Sequence, residues 1–264
     1  MKNDRPRRGS GSRTCKFQPG FADLLSAADT ACADRFGSRL LAAYVAGSVA
    51  LGEAWPGASD LDWFAFLRAE PTAADRAWRR RLQRRLAASI PVVSAVHLNI
   101  FPLTRLAREP FWRFILRHNA VRLRGTDLVA RLARAGSRTP RPNRALAKHR
   151  LPFVRQCLAE ALAGRRVPAL ADLPGNPALA TRKLVRNFVF VEGAHLLMAL
   201  GTFQSFRAAA VLQGLRHAAP QWRPVYDMAE RTLADPHSVK VGPQEFMLTA
   251  HPFVEWMLAT IARS

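Results

Sequence analysis

Two aspartates one residue apart, Asp60 and Asp62, open an apolar run in the stretch YVAGSVALGEAWPGASDLDWFAFL, residues 44–67. In a strand, alternate residues face the same way, with Cα atoms roughly 6.6 Å apart. Both carboxylates would then project to one side while Leu61 packs the other. Two carboxylates on one rigid face form a hard-oxygen site suited to Mg²⁺, whose other positions are left to phosphate oxygens and water. Upstream, Gly47-Ser48 closes another apolar run. A glycine there lets backbone approach a ligand closely, a turn entering a short helix offers N–H groups to a phosphate, and the Ser48 hydroxyl adds a donor. The chemistry these residues could do together is phosphoryl transfer.

The surrounding pattern supplies the elements that must position them. Phe21, Leu24, Leu25 and Ala28 share a face at helical spacing and predict a helix over Phe21–Phe36, stopped by Gly37. Leu40–Ala46 and Leu61–Leu67 read as strands joined by a short turn or helix and the breaker Pro56-Gly57. Ala73–Ala88 reads as an arginine-rich helix, and Val92–Phe101 as a third strand closed by Pro102. Leu103–Asn119 and Asp127–Ala135 read as helices around a short extended Val121–Arg124. Gly136–Asn143, with two prolines, reads as a linker. Helical periods then dominate, over Leu146–Leu162, Ala178–Leu200, Ser205–His217, Arg223–Leu233 and Gln244–Ile261. The expected fold is an α/β (α+β) N-terminal domain with a small mixed sheet, residues 17–136, followed by an all-α helical bundle, residues 144–264. Residues 1–16 read as a flexible basic tail.

With 264 residues, 49% of them hydrophobic, the chain can bury a core and is not a disordered protein. Cys15, Cys32 and Cys157 have neither metal-like spacing nor the density of a disulfide framework, which fits a reducing compartment and a cytoplasmic setting. The basic N-terminus has no apolar stretch behind it and does not read as a secretory signal. The most apolar run, Phe188–Leu200, is too short to span a membrane and contains Glu192 and His195. The net charge of +21 resides in three segments: Met1–Lys16, Arg76–Arg85 and Arg117–Arg155. Localised positive charge is the footprint of a polyanion partner, and Arg117–Arg155 would suit nucleic acid, although Phe153 is its only aromatic residue for stacking. Arginine outnumbers lysine 35 to 5, so a compositional bias explains the same charge without a partner.

Gly47, Ser48, Gly52, Ser59, Asp60, Leu61, Asp62 and Trp63 together resemble the signature of the DNA polymerase β-like nucleotidyltransferase superfamily. The signature is Gly-Ser, about ten residues, then acid and hydrophobe in alternation. By layout the chain is similar to bacterial aminoglycoside adenylyltransferases, whose small α/β domain carries this motif and is followed by a helical domain. The resemblance covers most of the chain, with detail in residues 40–67. It implies transfer of a nucleoside monophosphate from a Mg²⁺-bound nucleoside triphosphate, ATP first among them, to an acceptor hydroxyl. It makes Asp60 and Asp62 the metal ligands, and Gly47, Ser48 and Ser59 the triphosphate cradle. Arg186 and Arg207 fall in segments like those whose arginines close on the phosphates.

The family's third carboxylate, on a following strand, is missing. His97 takes its place in VVSAVHLNIF, on the face shared with Asn99 and Phe101. Either His97 is the general base, with an ordinary pKa near 6.5 suited to that work, or the site is impaired and only binds nucleotide or nucleic acid. Glu192, in an apolar helix with His195 one turn on, is a second candidate for the absent acid. The scattered histidines lack the spacing of a zinc site, and no P-loop, dinucleotide fingerprint or nucleophile-elbow motif is present. Aminoglycosides are polycations that need acidic pockets, and this chain has little acid to spare. Three functions follow: a transferase acting on a small hydroxylated molecule, one acting on RNA, and a binding module without turnover.

Overall fold

The computed structural model describes residues 17–90, 92–165, 167–170, 173, 175–238 and 240–264. The tail expected over 1–16 lies outside the described residues. The N-terminal half runs α1 (Phe21–Phe36), β1 (Leu40–Ala46), α2 (Gly47–Leu51), β2 (Leu61–Leu67), α3 (Ala73–Ser89), β3 (Val96–Pro102), α4 (Leu103–Arg108), α5 (Pro110–His118), β4 (Ala120–Gly125) and α6 (Leu128–Arg134). The second half is helical: α7 (Arg144–Ala147), α8 (Leu151–Leu162), α9 (Pro177–Val185), α10 (Glu192–Ala199), α11 (Ala208–Ala218), α12 (Arg223–Ala234) and α13 (Pro243–Arg263). Residues Arg186–Val191 are π-helical and join α9 to α10 in one rod. Among the described residues no helix is long and apolar enough to cross a membrane.

The four strands lie in the order β3-β2-β1-β4. β1 pairs antiparallel with β2 and β4, and β2 pairs parallel with β3, so the sheet is small and mixed. Alternation sorts its side chains between two cores. Leu61, Trp63, Ala65, Leu67, Val96 and Leu98 face α1 and α3, while Tyr44, Phe64 and Phe66 belong to the core that continues through the helical half. Asp62 and His97 sit on that second face, in line with Phe64 and Asn99.

Where the elements differ from expectation, local chemistry accounts for it. β3 begins at Val96 rather than Val92, because the preceding backbone bonds the 57–61 loop instead: Gly57 N–H to Val92 O, Ser94 N–H to Ser59 O and Leu61 N–H to Ala95 O. The single helix expected over Leu103–Asn119 is broken at Glu109, held extended at φ −103°, ψ 99° by Pro110 after it. Likewise the helix expected over Leu146–Leu162 passes through a 3₁₀ turn, Lys148–Arg150, just ahead of Pro152.

Candidate active site

β1 ends at Ala46, which is paired across the sheet with Asp62, and the chain turns at once into α2 through Gly47. Gly47 has φ +70°, and a Cβ there would lie 3.1 Å from Asp62 Oδ2. Only glycine satisfies both the left-handed backbone and the approach of the carboxylate. The Gly47 N–H is bonded to Asn119 O at 3.1 Å, which fixes the turn against the end of α5. Ser59 is buried, its Oγ accepting from Trp55 N–H at 2.8 Å, so this serine shapes the loop that delivers Asp60.

Asp62 is the second residue of β2, and His97 lies beside it in the parallel register with β3. Asp60 is just outside the strand, its Oδ2 3.5 Å from His97 Nε2 and 3.6 Å from Lys183 Nζ. Lys183 belongs to α9, so a cation from the helical half reaches the carboxylate of the sheet. Its Nζ also donates to Ser94 Oγ at 3.3 Å. Gly47, Ser48, Ser59, Asp60, Asp62, His97 and Arg186 all line one cleft of about 410 Å³ between the sheet and the helical rod. The two aspartates differ electrostatically. Burial works to raise the Asp60 pKa, but the hydrogen bond from His97 and the Lys183 charge outweigh it and hold the carboxyl below the usual range. Burial, and then the charge of Asp60, push Asp62 above it.

The remaining sequence candidates separate here. Arg186 lines the cleft and donates to Glu53 Oε2 at 2.7 Å. Arg207 does not line it; its Nη1 bonds Leu51 O at 3.1 Å and ties the start of α11 to α2. Glu192 does not stand in for the third carboxylate. It is 1% exposed and away from the cleft lining, with Oε1 taken by Arg150 Nε at 2.7 Å and Oε2 3.2 Å from His195 Nδ1. Sequence reasoning missed Lys183, Arg150 and Arg182, which also line the cleft, and Glu53, which braces Arg186. Lys183 did carry a signal: it is one of five lysines in a chain that elsewhere uses arginine. The cations of Arg117–Arg155 are distributed over α5, β4, α6, the 135–143 segment, α7, the 3₁₀ turn and α8, with Arg124 committed to Asp29 and Arg150 to Glu192.

Among the described residues no group of three or more His, Cys, Asp and Glu side chains is gathered to hold a metal. The two aspartates nevertheless fit Mg²⁺, which is ordinarily held by one or two carboxylates and completed by substrate phosphates. The raised pKa of Asp62 marks a place short of positive charge, which a divalent cation would supply.

The fold is a small mixed sheet flanked by helices, followed by a helical half. The structure is similar to that of spectinomycin adenyltransferase AAD(9) from Enterococcus faecialis with ATP and spectinomycin, at a TM-score of 0.55 and 11% identity, over 91% of this chain and 99% of that one. At that identity the likeness speaks for the fold alone. No family model and no curated protein matches the sequence.

Proposed function

We propose that the protein is a nucleotidyltransferase that moves a nucleoside monophosphate from a Mg²⁺-bound nucleoside triphosphate to the hydroxyl of a small acceptor. The observation that carries this reading is the convergence of Asp60, Asp62 and the Gly47-Ser48 turn on one cleft that the helical half closes with Lys183 and Arg186. Residues 17–136 act as the nucleotidyltransferase domain and 144–264 as the helical domain over it. The solved neighbour holds ATP, which favours ATP as the donor. A cytoplasmic setting suits the free cysteines and such a donor.

Asp60 and Asp62 would hold the metal, which when bound neutralises triphosphate oxygens and polarises the reacting phosphorus. Gly47 and Ser48 cradle the triphosphate, and Arg186, kept in place by Glu53, faces it. The acceptor oxygen attacks the α-phosphorus and forms a new P–O bond. The bond to the β-phosphate breaks, and pyrophosphate leaves with that electron pair. The acceptor's proton passes to the imidazole of His97, the role that the missing carboxylate would otherwise fill.

The test is acceptor-dependent, Mg²⁺-dependent release of pyrophosphate, screened with each triphosphate against aminoglycosides, other hydroxylated small molecules and total RNA. Turnover abolished by Asp60→Ala supports the reading; no release with any combination removes it. The imidazole in place of a carboxylate favours one second reading, a nucleotide-binding protein with an impaired site. On that reading His97→Asp raises activity from a low baseline, and on the first it lowers it.

A further inference from the structure

The acids and cations of the cleft are unequally committed. Among the described residues, Asp60 and Asp62 are the only carboxylates lining it, and the proposed metal site uses both. Glu53 and Glu192 lie behind the lining and face Arg186 and Arg150. Nothing acidic is left over for an amino-bearing acceptor. The cations are better supplied. Arg182 is spent on structure, its guanidinium 4.9 Å from the Trp55 ring centroid and its Nη2 bonded to Leu233 O at 3.3 Å. Lys183 and Arg186 face the aspartates and the Gly47 end. Arg150 is placed apart from these. Its anchor Glu192 follows Arg186 by six residues on the same rod, about a turn and a half further along.

Arg150 is built as a receptor. Glu192 is buried and is itself held by His195 Nδ1; Arg150 makes its hydrogen bond to it through Nε, and its guanidinium carbon lies 5.2 Å from the Phe153 ring centroid. Its other four N–H donors meet no protein acceptor among the described residues, and the residue is half-buried at the cleft wall, which Phe153, Ala169 and Val191 also line. A guanidinium locked by a buried carboxylate presents a fork that matches a carboxylate or phosphate in two parallel bonds.

We propose that the acceptor is a small hydroxylated anion, with a carboxylate or phosphate that docks on Arg150 while its hydroxyl reaches the aspartates. The inference rests on the nucleotidyltransferase reading and opposes a polycationic acceptor. The experiment measures Mg²⁺- and ATP-dependent pyrophosphate release with gluconate, a hexose 6-phosphate, glucose, spectinomycin and total RNA as probes, for wild type, Arg150→Lys and the double variant Arg150→Gln/Glu192→Gln. The double variant leaves no unpaired buried charge, so it tests the site and not folding. The anionic probes are expected to turn over in preference to glucose and spectinomycin. In the double variant their KM rises by roughly 10- to 100-fold, the worth of a lost charge-assisted hydrogen-bond pair, while ATP affinity measured by calorimetry stays within about twofold. Arg150→Lys, which keeps the charge and loses the fork, falls between the two. Preference for spectinomycin or RNA, or a double variant that loses ATP affinity in place of acceptor affinity, overturns the inference and leaves the enzyme reading standing. Absence of ATP binding in wild type overturns both.

Discussion

Asp62 is a residue whose surroundings work against its own charge. Burial and the neighbouring Asp60 raise its pKa in the fold, so it keeps its proton where the unfolded chain has already lost one. The unfolded value is about 4. Its contribution to stability is therefore fully present below about pH 4 and is lost as the pH rises through the elevated folded value. Asp62→Asn removes that dependence. At pH 8 and without metal the variant is expected to melt above wild type, by an amount on the order of 1 kcal/mol or about 2–4 °C, with the gap closing near pH 4. Mg²⁺ with nucleotide should raise the wild-type melting temperature at pH 8 and not that of the variant, which should be inactive. Thermal melts at the two pH values decide it; identical curves for both proteins would show that Asp62 carries no such penalty. Gly47 is the companion case. Gly47→Ala puts a methyl against Asp62 Oδ2 at a left-handed backbone position, and activity should fall more than stability.

At the scale of elements, the sheet is held in register by contacts remote from the cleft. α3 begins with a capping box: Thr72 Oγ1 accepts from Asp75 N–H at 3.1 Å, and Asp75 Oδ2 accepts from Thr72 N–H at 3.0 Å. The same carboxylate receives Arg39 in a two-bond fork and Arg35 from the end of α1. The Arg39 hydrogen bonds lead in holding its pKa below the ordinary carboxylate range. That stabilisation is present above about pH 4 and is lost as the pH falls toward the depressed value. Asp75→Ala should cost about 2–3 kcal/mol, from a lost cap and unpaired arginines that solvent partly screens. Urea unfolding at pH 7 measures it, and the gap between wild type and variant should narrow as the pH falls below about 4. A loss under 0.5 kcal/mol would mean the arginines find other partners. β4 is locked differently: a Cβ on Gly125 would meet Leu41 O at 2.1 Å, a clash with backbone that cannot relax by rotating a side chain.

For the molecule as a whole, Glu53 is the residue through which the halves grip each other. Its Oε2 takes Arg186 from the π-helical segment, and its Oε1 takes the Ala208 N–H at 2.9 Å at the start of α11. Arg207 adds its bond to Leu51 O from the same place. Glu53→Ala frees both partners at once, so it should lower stability by about 1–3 kcal/mol and raise the KM for the triphosphate through the released Arg186. Faster hydrogen exchange in α11 and in residues 186–191, with exchange in α1 and α3 unchanged, would locate the effect at the junction; a uniform increase would mean that the whole fold has loosened instead.

The sequence by itself determined the elements and the motif. Apolar patterning places α1, β1 and β2 at their observed ends: α1 buries one face at helical spacing, while β1 and β2 are buried on both faces of the sheet and read as short continuous apolar runs. The pairing of Gly47-Ser48 with Asp60 and Asp62 was legible for a like reason: glycine at a positive φ and a same-face acid pair are local properties of strand and turn. Proline marked where helices stop, though Leu103–Asn119 shows that periodicity continues through a break that Pro110 imposes. Only the tertiary structure decided which distant residues meet. Lys183 reaches Asp60 across more than a hundred residues, Glu192 turns away from the cleft to anchor Arg150, and Arg207 braces α2 instead of lining the cleft. These outcomes depend on the packing of one helical rod against one sheet face. Charge and spacing along a chain hold no record of that, since any exposed arginine looks alike until the fold gives it a partner.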